Sequence, residues 1–160
     1  MLKLIAFVII AFQLSLGPAR PPEIWADPIP DLESRHSWDY QLPATEYGPG
    51  HRGIDLDMQE NEQIRAPFDG VVSFVGKVVD RRLITLHSLT GYKASFEPIC
   101  SELEQGDFVR EQEVLGWACS ADKSYAEHCP GCVHFSVRNE YGYLNPLLFI
   151  GQLWPSVLVS

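Results

Sequence analysis

The stretch His51-Arg52-Gly53-Ile54-Asp55 places an imidazole and a carboxylate at i and i+4, directly after a Gly48-Pro49-Gly50 turn. A second imidazole, His134, stands far along the chain within Cys132-Val133-His134-Phe135. Two imidazoles and a carboxylate are ligand types that suit zinc, and catalytic zinc sites use three protein ligands with the fourth position left to water. Residue types alone leave other readings open. A histidine beside a glycine turn is commonly a surface residue, and Asp55 can cap that turn. His134 is the more demanding case. Val133, Phe135 and Val137 surround it, and an imidazole on an apolar strand costs desolvation unless a metal or a partner such as a backbone carbonyl receives it. Residues two apart on a strand share a face, so Cys132 belongs beside His134.

Strands must position these groups. Gly70 to Val75 is a β-branched and aromatic run, while Leu83 to Leu86 and Tyr92 to Phe96 flank a turn at Leu89-Thr90-Gly91 and predict a hairpin. Val114 to Trp117 and Val133 to Val137 add two more strands. Short strands with turn residues between them predict an all-β sandwich or barrel, and 160 residues suffice for one such domain. The apolar tail from Leu147 to Leu158 is interrupted by Gly151 and Pro155, which predicts a closing strand or coil packed on the sheet. Ahead of the domain, Lys3, an apolar run from Leu4 to Leu16 and Gly17-Pro18-Ala19 have the make-up of a secretory signal peptide. That run is shorter than the ~20 residues of a bilayer span. We therefore expect a signal peptide over 1–19, a Pro-rich leader over 20–47, the β domain over 48–151 and a tail over 152–160. Export follows, with no stable membrane insertion after signal cleavage. Trp25 and Trp38 are the residues able to pin the leader onto the domain, and His36 within it is expected to do nothing specific.

The formal net charge is −9 and no basic stripe is visible, which argues against nucleic acid as a partner. Simple electrostatic adhesion to anionic polymers or lipid headgroups is disfavoured too, so binding must come from a shaped site. An exported chain permits disulfides among Cys100, Cys119, Cys129 and Cys132. Four cysteines allow three connectivities, and sequence does not choose among them; we favour Cys129–Cys132 with Cys100–Cys119. The CPGC run is similar to a redox motif, but that motif needs a strand-to-helix setting and here leads into a strand.

Several segments in order carry a resemblance: Gly50 to Leu56, Ile64 to Val72, Gly106-Asp107-Phe108-Val109, Val133 to Arg138, and Tyr143-Leu144-Asn145-Pro146-Leu147. The series resembles the lysostaphin-type zinc metallopeptidases, which cut peptide cross-bridges of bacterial peptidoglycan. The resemblance implies an antiparallel barrel-sandwich hybrid, a Zn2+ ion held by His51, Asp55 and His134, and peptidoglycan stem peptides or cross-bridges as the partner of a cell-wall-associated protein. Two departures stand out. The family has His-x-His where Cys132 precedes His134, and a further helper histidine falls on Pro98 of Phe96-Glu97-Pro98-Ile99.

Without a positioned acid or base, hydrolysis loses about 10²–10⁴ in rate, so substitutes are needed. Cys132 is a candidate as a proton shuttle if its thiol is free, or as a fourth ligand if it is a thiolate; His128, in the loop before the last strand, is a second catalytic candidate. His87 and Glu97 are weaker ones, Tyr92 is a conceivable oxyanion donor, and Arg52 suits a substrate carboxylate or Asp57. Two readings compete: an exported zinc metalloendopeptidase, favoured by the three ligands, and a catalytically silent peptidoglycan-binding or hydrolase-regulating module, favoured by the missing helpers. A lipoyl or biotinyl carrier, suggested by the Gly106–Val109 and Val114–Gly116 segments, fails for want of a lysine at a hairpin tip.

Overall fold

The computed structural model describes residues 23–45, 47–120 and 131–153; the expected signal peptide, His128, Cys129 and the end of the tail lie outside the described residues. The described chain is almost entirely strand: β1 (His36–Trp38), β2 (Ile54–Asp57), β3 (Gln63–Arg65), β4 (Gly70–Val78), β5 (Arg81–Ser88), β6 (Lys93–Glu97), β7 (Ile99–Cys100), β8 (Phe108–Val109), β9 (Val114–Ala118), β10 (Cys132–Asn139) and β11 (Gly142–Leu144). The only helical elements described are α1 (Leu32–Arg35) and a 3₁₀ turn at Pro146–Leu148. The larger sheet runs β1-β2-β10-β6-β5-β4-β8 with β11 added to β10, and the smaller runs β3-β9-β7. The pairings are antiparallel. The all-β expectation therefore holds, and the foreseen hairpin is β5–β6.

Period-two alternation separates a core face from a functional face. On β10, Val133, Phe135 and Val137 are buried in the core, joined by Ala94 and Phe96 of β6 and by Ile84 and Leu86 of β5. Phe96 and Phe135 are register partners whose rings stack at 4.7 Å. The opposite face of the same strands carries Asp55, His134, Ser136, Ser95 and Glu97. A Cys100–Cys119 disulfide, with Cα atoms 5.7 Å apart, staples the small sheet as expected; closing a loop of that size stabilises by about 3 kcal/mol on the chain-entropy account.

The leader is far more than an extended connector. Trp25, Ile29 and Leu32 are core residues. The Trp25 ring lies 4.3 Å from Phe149, 4.4 Å from Phe68 and 6.0 Å from Tyr92. Prolines lack the N–H, yet their carbonyls accept: Ala26 N–H donates to Pro67 O and Arg65 N–H to Pro28 O. Arg35 adds a two-pronged ion pair to Glu62, at 2.6 and 2.7 Å. As far as it is described, the tail closes the core through Leu147, Phe149 and Ile150 as a 3₁₀ turn and coil, the second of the two forms expected. Among the described residues no helix is long and apolar enough to cross a membrane.

Candidate metal centre

Antiparallel pairing of β2 with β10 sets Asp55 directly opposite His134. His51 enters from the loop ahead of β2, where its backbone exchanges two hydrogen bonds with Gln41, at 2.8 and 2.9 Å. The three side chains converge. His51 Nε2 lies 3.1 Å from Asp55 Oδ1 and 3.1 Å from His134 Nδ1, and His134 Nδ1 lies 2.8 Å from Asp55 Oδ1.

Each member is held by its surroundings. His51 Nδ1 stands 2.8 Å from Asp39 O. A carbonyl only accepts, so Nδ1 carries the proton and Nε2 of the neutral ring presents a lone pair to the centre. His134 lies over Gly53: a Cβ there would come within 2.7 Å of both Cε1 and Nε2 of the imidazole and would collide with Phe135 O. Asp55 is 2% exposed. Burial opposes its ionisation most strongly, yet the hydrogen bond from His134 and the attraction of both imidazoles together bring its pKa below the ordinary carboxylate value. The Trp38 ring lies 5.7 Å from the His51 ring, tilted against it.

The donor set fits a zinc ion. Ligands about 2.0–2.2 Å from a tetrahedral ion lie roughly 3.3–3.5 Å from one another, close to the spacing seen here. With the Nδ1 proton directed at Asp39 O, the neutral His51 ring turns its Nε2 lone pair to the side on which Asp55 Oδ1 and His134 Nδ1 also converge, as a shared cation requires. His51, Asp55 and His134 form a group of suitable ligands whose donor atoms all lie close together.

The three residues open onto a cleft of about 310 Å³ whose other walls include Arg52, Arg81, Glu97, Ser136 and Tyr143. Of the substitutes weighed from sequence, Glu97 and Arg52 reach this cleft; Arg52 also donates to Gly48 O at 3.2 Å. Cys132 does not serve: it is buried and disulfide-bonded, so it has no thiol to shuttle a proton and no thiolate for a metal. The partner favoured for it, Cys129, and the candidate His128 are outside the described residues. His87 pairs with Val71 and Lys93 away from the cleft wall, and Tyr92 packs edge-on against Phe149 at 5.0 Å. Ser136 and Tyr143 fall within the resembling segments but were given no role there, and Arg81 lies in none of them; strand register, with Ser136 two residues beyond His134, brings them in.

A profile described as peptidase family M23 matches residues 49–146. The chain belongs to this family. M23 comprises zinc metallopeptidases that act on peptidoglycan. Uncharacterised proteins of Mycobacterium tuberculosis and Mycobacterium bovis are 26% identical over 110 residues, covering 62% of this chain and 41% of theirs. The chain thus spans about two fifths of the length of these curated relatives. The catalytic domain of lysostaphin from Staphylococcus simulans superposes with a TM-score of 0.63 at 18% identity, covering 75% of this chain and 95% of that one. A mutant catalytic domain of the prophage-encoded M23 protein EnpA from Enterococcus faecalis gives 0.58 at 21%, covering 70% and 88%. A chain of the SpoIIQ–SpoIIIAH pore-forming complex gives 0.64 at 23%, covering 81% and 92%. At these identities the structural likenesses speak for the fold.

Proposed function

We propose that this chain is an exported zinc metalloendopeptidase that cuts peptide cross-links of bacterial cell-wall peptidoglycan, with His51, Asp55 and His134 as the zinc ligands. The carrying observation is the convergence of two imidazole nitrogens and a buried carboxylate oxygen within 3.1 Å of one another. Bound there, zinc supplies a Lewis acid for the scissile carbonyl and a water that is nucleophilic near neutral pH. The protein itself orients the substrate: the cleft is open, and a groove of about 360 Å³ lined by Leu42, Pro43, Thr45 and Tyr141 shares Arg52 and Tyr143 with it. An extended peptide fits such a continuous channel better than a small solute does.

A second reading, a catalytically silent wall-binding or hydrolase-regulating module, is favoured by one observation: neither helper position of the family carries an imidazole, Cys132 being disulfide-bonded and Pro98 having no titratable group. Zinc content of the purified mature protein, followed by release of new amines from peptidoglycan, separates the two. One zinc per chain with amine release is expected; one zinc with none establishes the silent module.

A further inference from the structure

We propose that Glu97 is the proton acceptor of this site, held in position by Arg81. The assignment rests on the metallopeptidase reading and supplies what that reading lacks. Register is the first observation. Trp38 pairs with Asp55 across β1–β2, Asp55 with His134 across β2–β10, and His134 with Glu97 across β10–β6. Directly opposed residues of antiparallel strands point to one face with Cβ atoms about 4.5–5.5 Å apart. Two ligands and Glu97 therefore form one row, with a carboxylate a single strand spacing beyond the second ligand and lining the same cleft.

The second observation is how Glu97 is held. Ile84 pairs with Phe96 on the core face, so alternation turns Leu83 and Arg81 to the face that carries Glu97. Arg81 Nε lies 3.2 Å from Glu97 Oε2, and Arg81 Nη1 lies 2.9 Å from Asp80 Oδ1. Glu97 and Arg81 side chains are 17% and 28% exposed, so the pair is sheltered while still reaching the cleft. A guanidinium this close to a carboxylate restricts the rotamers open to it. Family members carry a helper imidazole one residue later, where this chain has Pro98; the carboxylate comes from the adjacent position and the neighbouring strand edge.

The chemistry balances. The oxygen of one water bonds to the scissile carbonyl carbon while Glu97 accepts a proton from that water. Glu97 then delivers the proton to the departing nitrogen as the C–N bond breaks, leaving a carboxylic acid and an amine, which ionise in water to carboxylate and ammonium. The carboxylate of Glu97 is regenerated, and no oxidant or further reactant enters.

The test compares zinc-loaded wild-type protein with Glu97→Gln and Glu97→Asp in three measurements: zinc per chain, amine release from peptidoglycan, and the dissociation constant of a short alanine hydroxamate by titration calorimetry. Zinc stoichiometry is expected to be the same in all three proteins. Glu97→Gln is expected to lose about 10²–10⁴ in amine release and to bind the hydroxamate at least tenfold more weakly, because the hydroxamate hydroxyl loses a charged acceptor. Should Glu97→Gln fail to fold, Glu97→Asp, which keeps the charge on a shorter arm, is expected to show an intermediate loss of both. Unchanged hydroxamate affinity in either folded variant overturns the assignment, even where wild-type protein hydrolyses peptidoglycan. Wild-type protein that releases no amine but binds hydroxamate in a Glu97-dependent way supports the acceptor and overturns the hydrolytic reading. As a positioning residue, Arg81 is tested through kcat: Arg81→Ala is expected to lower it with KM unchanged and Arg81→Lys to restore most of it, while a loss confined to thermal stability removes Arg81 from the role.

Discussion

On one side of the row Asp55–His134–Glu97 the backbone fixes each group: Asp39 O takes the His51 proton, Gln41 brackets the His51 main chain, and Gly53 makes room for the His134 ring. On the other side, Glu97 and Arg81 are fixed by the far ends of their own side chains. The two halves therefore change by different routes. On the proposed reading, metal capture depends on main-chain geometry that no single side-chain substitution can rebuild. Proton handling, as proposed, depends on which polar group a strand presents, and this is the half in which Cys132 and Pro98 stand where the resemblance implies imidazoles.

The comparison is broken most sharply at the ligand side. His51→Ala is expected to take zinc from one equivalent to none by elemental analysis, and retained zinc in that variant removes the ligand assignment. Next in size, Trp25→Ala is expected to cost about 3–5 kcal/mol in denaturant unfolding, because a buried ring packed on Phe68, Tyr92 and Phe149 ties the leader to the core. A cost near zero would detach the leader, and with it Asp39, from the folded unit. Gly53→Ala is expected to destabilise metal-free protein by about 1–3 kcal/mol through overpacking and to weaken zinc binding, since the added methyl meets the His134 ring. Normal zinc affinity in that variant would show that backbone proximity does not set the second ligand. The smallest effect concerns the leader clamp. Arg35, chiefly through its hydrogen bonds to the carboxylate, holds the Glu62 pKa below its ordinary value. A depressed carboxylate stabilises above its unfolded pKa, near 4.5, and that stability is lost as pH falls through the folded value. Arg35→Ala is therefore expected to cost up to about 1 kcal/mol at neutral pH and to flatten the acid limb of a stability-versus-pH curve; an unaltered limb assigns the acid sensitivity elsewhere.

Much of the sheet is legible in residue order because alternation and turn chemistry act locally. Val133 to Val137 and the β5–β6 hairpin announce themselves by β-branched runs around Leu89-Thr90-Gly91, and the ligand types of His51, Asp55 and His134 point to zinc before any fold is known. The leader was legible in part: Trp25 was expected to pin it, while its prolines, whose missing donors suggest an extended connector, hid that Pro28 O accepts a hydrogen bond and that Ile29 and Leu32 are buried. β2 is short and alternates Ile54-Asp55-Leu56-Asp57, so its acidic residues mask a central strand. Arg81 was invisible for a different reason: its place beside Glu97 follows from which residues oppose each other across two strands, and a linear sequence carries no record of that register.

The family profile begins at residue 49, ten positions after the carbonyl that orients the first imidazole. A protein cut for expression at that natural-looking border would keep all three proposed ligands yet lose the carbonyl of Asp39, leaving the His51 ring without the partner of its Nδ1. Fusion partners or domain exchanges are better joined ahead of Glu23.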